Sequence, residues 1–481
     1  MNKRNSGILM HISSLPSSYS IGNFGEAAYR AVDVFSACGF SYWQVLPFCM
    51  TDECNSPYKS VSAFAGNPYF IDPEKLYEKG LITLYELEEA KEHSPYLCEF
   101  SRLREEREVL LRTAAMRVGD RSEIIDFVNA DPRLSRTCRF LALRDANGGR
   151  EWQLWETDKY DTDTLFYHQF VQYEFLTQWQ SLKAYANSQG IRIIGDLPIY
   201  VAADSCEVWA NPELFLLDKR NRPTSVAGVP PDYFAKDGQL WGNPIYNYNK
   251  MKLDGYKWWR DRIDFALSLF DGVRIDHFRG FEAYWQIPAT AKTAKEGKWV
   301  KGPGRKIIDA IKEVAGDRLI IAEDLGDITD GVRKLLSYSG FPGMRVFQFG
   351  FEDGSDSVHL PHNYPVNSVA YTGTHDNNTL LGYVFELDGD RRRRVLEYAG
   401  AEGKSFEQGC DCIIRTVMAS AAQTVILPVQ DVLGFGADTR MNTPGSTLSN
   451  WAYRITKEQL MSIPKEKLSR LNSLYFRANK N

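Results

Sequence analysis

Several features are scarce or missing in this 481-residue sequence. Its eight cysteines, at positions 38, 49, 54, 98, 138, 206, 410 and 412, form no Cys-x-x-Cys pair. A long chain with scattered thiols is not a disulfide scaffold, and free thiols in a reducing cytoplasm are expected. Its histidines include no His-x-His and no His-x-x-x-His. The ligand spacing of a zinc hydrolase is therefore absent, and no metal is expected. No apolar run approaches the ~20 residues needed to cross a bilayer. The start, Met1-Asn-Lys-Arg-Asn-Ser6, has no apolar signal-peptide core, so secretion is not expected. The net charge of −5 and pI near 5.9 give no reason to expect nucleic acid as a partner. Short repeats and low-complexity tracts are also lacking.

What is present is an ample core and many rings. Hydrophobic residues make up 43% and aromatics 13% of the chain. Aromatics beyond those needed for packing offer platforms for the flat faces of sugar rings.

The most informative stretch is Leu269-Phe-Asp-Gly-Val-Arg-Ile-Asp-His-Phe-Arg-Gly280. It reads as a short apolar strand ending in charge. Arg274 and Asp276 are two apart, so an extended chain points them the same way. Such a pair in an apolar strand is costly unless it closes a structural ion pair or does chemistry. Two further stretches repeat the design: Leu319-Ile-Ile-Ala-Glu323 and Asn367-Ser-Val-Ala-Tyr-Thr-Gly-Thr-His-Asp376. The three carboxylates are spaced 47 and 53 residues apart, room for a helix and a further strand or loop each time. Strands that each deliver a carboxylate past their C-terminal ends are what a parallel barrel with its site on the top face requires.

Strand starts near 8, 42, 192, 272, 319, 344, 368 and 424, with helical patterns in most gaps, predict a (β/α)8 TIM barrel. The whole of 1–481 reads as one catalytic barrel. The 145 positions between the second and third strands predict a helical insertion at about 70–165, because a structureless loop of that length is improbable. The Arg and Glu run at 102–108 reads as a solvated helix face. Residues 201–250, rich in Pro, Gly and aromatics, read as a loop-rich cover of the site, with Val229–Phe234 and Gln239–Tyr246 as its aromatic parts.

Three carboxylates around one mouth suggest glycosidic-bond chemistry, which needs an acid for the leaving oxygen and a carboxylate for the anomeric carbon. Arg274 beside Asp276 is expected to keep that residue ionised, as a nucleophile must be. Glu323 follows four apolar residues, so desolvation should raise its pKa, as suits an acid that later acts as base. Asp376 is expected to bind sugar hydroxyls, with His277 and His375 contacting the same ring. Asp and His at barrel strand ends also describe metal-dependent hydrolases, but here they are adjacent pairs, and neighbours in a strand point apart.

Taken in order, a set of motifs is specific. They are His11-Ile-Ser-Ser-Leu-Pro-Ser17, Ser56-Pro-Tyr58, Ser62-Ala-Phe-Ala-Gly-Asn-Pro68, Gly195-Asp-Leu-Pro-Ile-Tyr-Val201, Gly272–Gly280, Ala322-Glu-Asp-Leu-Gly326, Gly373-Thr-His-Asp-Asn377 and Arg440-Met-Asn-Thr-Pro-Gly445. With these the chain resembles the amylomaltases, the 4-α-glucanotransferases of glycoside hydrolase family 77. The resemblance implies Asp276 as nucleophile, Glu323 as acid/base and Asp376 as transition-state carboxylate. It also implies Arg274, His277 and His375 as residues holding the sugar at the cleavage point, and Asp196 as a further substrate-side carboxylate. Tyr58 falls at an aromatic glucan contact, Gln239 and Trp241 in the loop over the cleft, and Asn442 in the final loop by the site. The chain departs from the family's pattern at Asn378, at Cys49–Cys54 and at Tyr453, none of them one of the three carboxylates. The implied reaction moves an α-1,4-glucan segment from a maltooligosaccharide donor to the 4-hydroxyl of an acceptor glucan or glucose. It needs no cofactor, and a monomer or homodimer is expected. An amylase-like hydrolase and a non-catalytic glucan-binding barrel remain the alternatives.

Overall fold

The computed structural model describes residues 4–231, 236–352, 354–446 and 449–479. Twelve strands run in chain order: β1 (Asn5–Leu9), β2 (Tyr42–Gln44), β3 (Arg192–Leu197), β4 (Ser225–Val229), β5 (Gln239–Pro244), β6 (Gly272–Ile275), β7 (Ala283–Pro288), β8 (Lys298–Lys301), β9 (Leu319–Ala322), β10 (Gly343–Val346), β11 (Ser368–Tyr371) and β12 (Thr424–Pro428). Eight of them close a parallel barrel in the order β1-β12-β11-β10-β9-β6-β3-β2. These are the eight strands expected from the apolar runs, and the fold is the (β/α)8 barrel. Its strands are buried along almost their whole length, as in a sheet covered by helices outside and packed side chains within.

Helices Glu26–Ala37, Lys257–Leu269, Arg305–Ala315, Asp330–Ser339 and Phe406–Ala419 pack around the barrel. Each carries an apolar stripe; Ile307, Ile308 and Ile311 of the third are fully buried. Between β2 and β3 lie further helices, among them Pro132–Ala146 and the 27-residue Thr162–Ser188. Asp131 and Asp161 cap their first turns, accepting from backbone amides. Among the described residues no helix is long and apolar enough to cross a membrane.

Two details go beyond the sequence reading. Within 201–250, β4 and β5 join β7 and β8 in an antiparallel sheet, order β5-β4-β7-β8. Of the Val229–Phe234 stretch, Asp232, Tyr233 and Phe234 lie outside the described residues. The Arg and Glu run is not wholly solvated. A π-turn at Leu103–Arg107 brings Arg107 inside, where its guanidinium donates to the carbonyls of Tyr19, Tyr69 and Ile71.

Candidate active site

Register sets the site. β3 and β6 pair so that Asp196 lies opposite Arg274. β6 and β9 pair so that Ile275 lies opposite Ala322. One residue further, Asp276 and Glu323 leave adjacent strands side by side. Phe278 and Glu323 then keep the two chains together, the Phe278 amide donating to the Glu323 carbonyl at 3.1 Å.

Arg274 is the cation at the centre, its side chain 5% exposed. Nη1 donates to both oxygens of Asp196, at 2.8 and 2.6 Å, and Nη2 to Oδ1 of Asp276 at 3.0 Å. Asp196 also accepts from the Tyr58 hydroxyl at 2.6 Å. Tyr58 stacks on His375, rings 14° from parallel, with its oxygen 2.9 Å from His375 Nε2. His375 Nε2 lies 3.4 Å from Asp376 Oδ2, and Asp376 Oδ1 accepts from Asn442 Nδ2 at 2.6 Å. On the other flank, Glu323 Oε2 accepts from the His277 amide at 2.6 Å and Oε1 from the Leu325 amide at 2.9 Å. The His277 ring meets Trp241 edge-on at 5.0 Å, and Trp241 Nε1 donates to Gln239 Oε1 at 3.1 Å. All eleven residues singled out from the sequence thus join one network of contacts.

His277 has φ 49° and ψ 49°, a left-handed conformation unusual for a side chain of its size. Strain of this kind persists where neighbours enforce it, here the bond from its own amide to Glu323. Its Nε2 is buried with no hydrogen-bond partner among the described residues. Burial lowers its pKa to about 3, so the ring is neutral. A neutral imidazole with a free ring nitrogen suits a sugar hydroxyl.

The electrostatics differ from expectation at one residue. Burial lifts Asp276 to about 8; Arg274 pulls it down, while Glu323, Asp196 and Asp376 add to the rise. Arg274 was expected to dominate and lower it. The reason is sharing: the guanidinium closes more tightly on Asp196 than on Asp276. Asp276 keeps 28% of its side-chain surface open. Glu323 is also raised, by burial first, against the pull of Arg274 and its two amide donors. One central cation facing this many carboxylates leaves both Asp276 and Glu323 above the ordinary carboxylate range.

Some participants are not evident from strand-end reasoning. Arg440 Nη2 donates to the Asp376 carbonyl at 2.5 Å, and the Asn442 amide to the His375 carbonyl at 3.1 Å. Met344 Sδ sits 3.4 Å from Arg274 Nε. Trp451, from the C-terminal segment, packs against both Tyr58 and His375. Arg440 and Asn442 do share the Arg440–Gly445 motif, which was the available signal.

Known proteins resemble this chain over nearly its whole length. The family model described as 4-alpha-glucanotransferase matches residues 10–460. A 4-alpha-glucanotransferase of Streptococcus pneumoniae is 44% identical, over 100% of this chain and 99% of its own length. One from Clostridium butyricum is 42% identical, over 97% of this chain and 100% of its own. Among solved structures, an amylomaltase from Streptococcus agalactiae, determined in complex with acarbose, superposes with a TM-score of 0.95. It is 38% identical and the match covers 99% of this chain and 100% of that one. The chain therefore belongs to the 4-alpha-glucanotransferase family.

Proposed function

We propose that this chain performs 4-α-glucan transfer by double displacement, with Asp276 as nucleophile and Glu323 as acid and then base. Glu323, in its acid form, protonates the oxygen of an α-1,4 bond. Asp276 attacks the anomeric carbon, and a β-linked sugar ester forms as the shortened glucan departs. The now ionised Glu323 takes the proton from the 4-hydroxyl of an acceptor glucan or glucose. That oxygen displaces Asp276, and the α configuration is restored.

The observation that carries this reading is the placing of Asp276 and Glu323 at the ends of two paired strands, beside one guanidinium shared with Asp196. The rise of Glu323's pKa supports its role as acid. Ionised Asp276 is required for attack, so the proton must settle on Glu323 when donor binds. The positive charge that develops on the anomeric carbon as the bond breaks favours the ionised form of Asp276. Asp196, Tyr58, Arg274, His277 and His375 hold the sugar being transferred. Asp376, tethered by Asn442, takes hydroxyls of the same ring. Trp241 and Gln239 wall the acceptor side and hold an acceptor there in place of water. The setting proposed is a reducing cytoplasm, supported by the unpaired state of all eight cysteines.

Incubation with maltotriose alone tests the reaction. Transfer yields glucose and a ladder of longer glucans from the first turnovers. Glucose and maltose without longer products would mean hydrolysis on the same residues.

A further inference from the structure

The loop carrying His375 and Asp376 leaves β11 at Thr372 and enters the helix Leu380–Glu386. Both of its ends are tied to a single side chain. Asp431 lies in the short helix Val429–Leu433 that follows β12. Its Oδ2 accepts from the Thr372 hydroxyl at 2.5 Å and its Oδ1 from the Leu380 amide at 2.7 Å. The residue is 4% exposed. Burial pushes its carboxyl up to about 6, and only these two donors pull it back.

A buried acid held by neutral donors costs stability, so its presence asks for a reason. A carboxylate offers two oxygens at one place, and an amide only one. With both oxygens engaged, Asp431 joins two points that are far apart along the loop. Beside Asp431 lies a cavity of about 20 Å³, bounded in part by His11, Thr374 and Asn378. Without the bridge the ends of the loop have that space to shift into, and the His375 and Asp376 side chains are re-aimed even though Asn442 and Arg440 still hold the two carbonyls.

We propose that Asp431 is a positioning residue for glucan transfer: by bridging Thr372 and Leu380 it fixes the span of the loop that presents His375 and Asp376 to the sugar. Asp431 acts through the loop and not on the substrate. The inference rests on the reading of Asp376 as a sugar-binding carboxylate.

The test is steady-state transfer from maltotriose by Asp431→Ala, Thr372→Val and the double variant, with Asp376→Asn in parallel. All are assayed well below their melting temperatures. Thr372→Val removes one hydroxyl from a buried site of unchanged volume, so it carries the test if Asp431→Ala folds poorly. Misplaced binding groups cost turnover steeply, so each single variant should lose at least about fivefold in kcat, with KM changed less than about threefold. A bridge acts as one unit, so the double variant should be no worse than the poorer single one. Losses below fivefold in both singles, losses confined to KM, or losses that multiply in the double variant would overturn the proposal. If Asp376→Asn keeps full activity, the reading of Asp376 has failed, and the bridge loses its purpose with it.

Discussion

At the scale of single residues, charge count governs the site. Arg274 serves Asp196 first and Asp276 second, by distances of 2.6 and 3.0 Å. Asp276 therefore binds its proton more tightly folded, at about 8, than unfolded, at the ordinary 3.8. The sign follows from linkage: between those values the folded state holds more protons, so stability falls as pH rises. The penalty is absent below pH ~4 and complete above ~8, by the same linkage. Asp276→Asn should therefore melt higher than the parent at pH 9, with the difference shrinking toward pH 4. Scanning calorimetry at several pH values checks this. A variant that is less stable at pH 9, or whose gain grows as pH falls, would contradict the raised pKa. This direction was not legible in the sequence. The strand pattern displayed Arg274 beside Asp276, but Asp196, 80 residues upstream, claims the same guanidinium only once the strands pair.

Among the elements, β3 shows how closely the site depends on packing behind it. A Cβ at Gly195 would stand 2.1 Å from the Phe270 ring. Phe270 is itself wedged between Phe48 and Trp179. Gly195→Ala must then push β3 away from its neighbours and shift Asp196, the next residue. Overpacking of this kind costs roughly 1–3 kcal/mol, and turnover should fall with it. Urea unfolding and transfer assays measure both; trimming the ring as well, with Phe270→Leu, should recover part of each. A Gly195→Ala protein as stable and active as the parent would mean that β3 has slack. The eight barrel strands were legible because each is a short apolar run that stops at charge or glycine. The sheet of β4, β5, β7 and β8 was not. Its strands are short, broken by Gly and Pro, and partly open to solvent, so neither alternation nor a long apolar run marks them.

On the scale of the whole molecule, the barrel closes by pairing the first strand with the last, Asn5 with Thr424 through Leu9 with Pro428. Buried Arg477 seals that seam from below, donating to carbonyls of Asn5, Met418, Ser420, Ala422 and Gln423. Closure brings chain-distant strand ends to one rim and sets Asp276, Glu323 and Asp376 around one opening. That convergence was legible from the spacing of carboxylates after apolar runs. The ties that hold it, such as Asp431 to Thr372 and Leu380, were not, because hydrogen bonds across 59 and 51 residues leave no local pattern. The central claim is that a sugar ester forms on Asp276 while Glu323 manages the proton. Intact-mass and peptide mass spectrometry of Glu323→Gln, incubated with an α-maltosyl fluoride, tests it directly. Fluoride leaves without an acid, and the missing base stalls the second step. The protein should gain one maltosyl unit, located on the peptide containing Asp276, and Asp276→Ala in the same background should gain none. A maltosyl group found on another residue, or none at all while fluoride is still released, would contradict the mechanism.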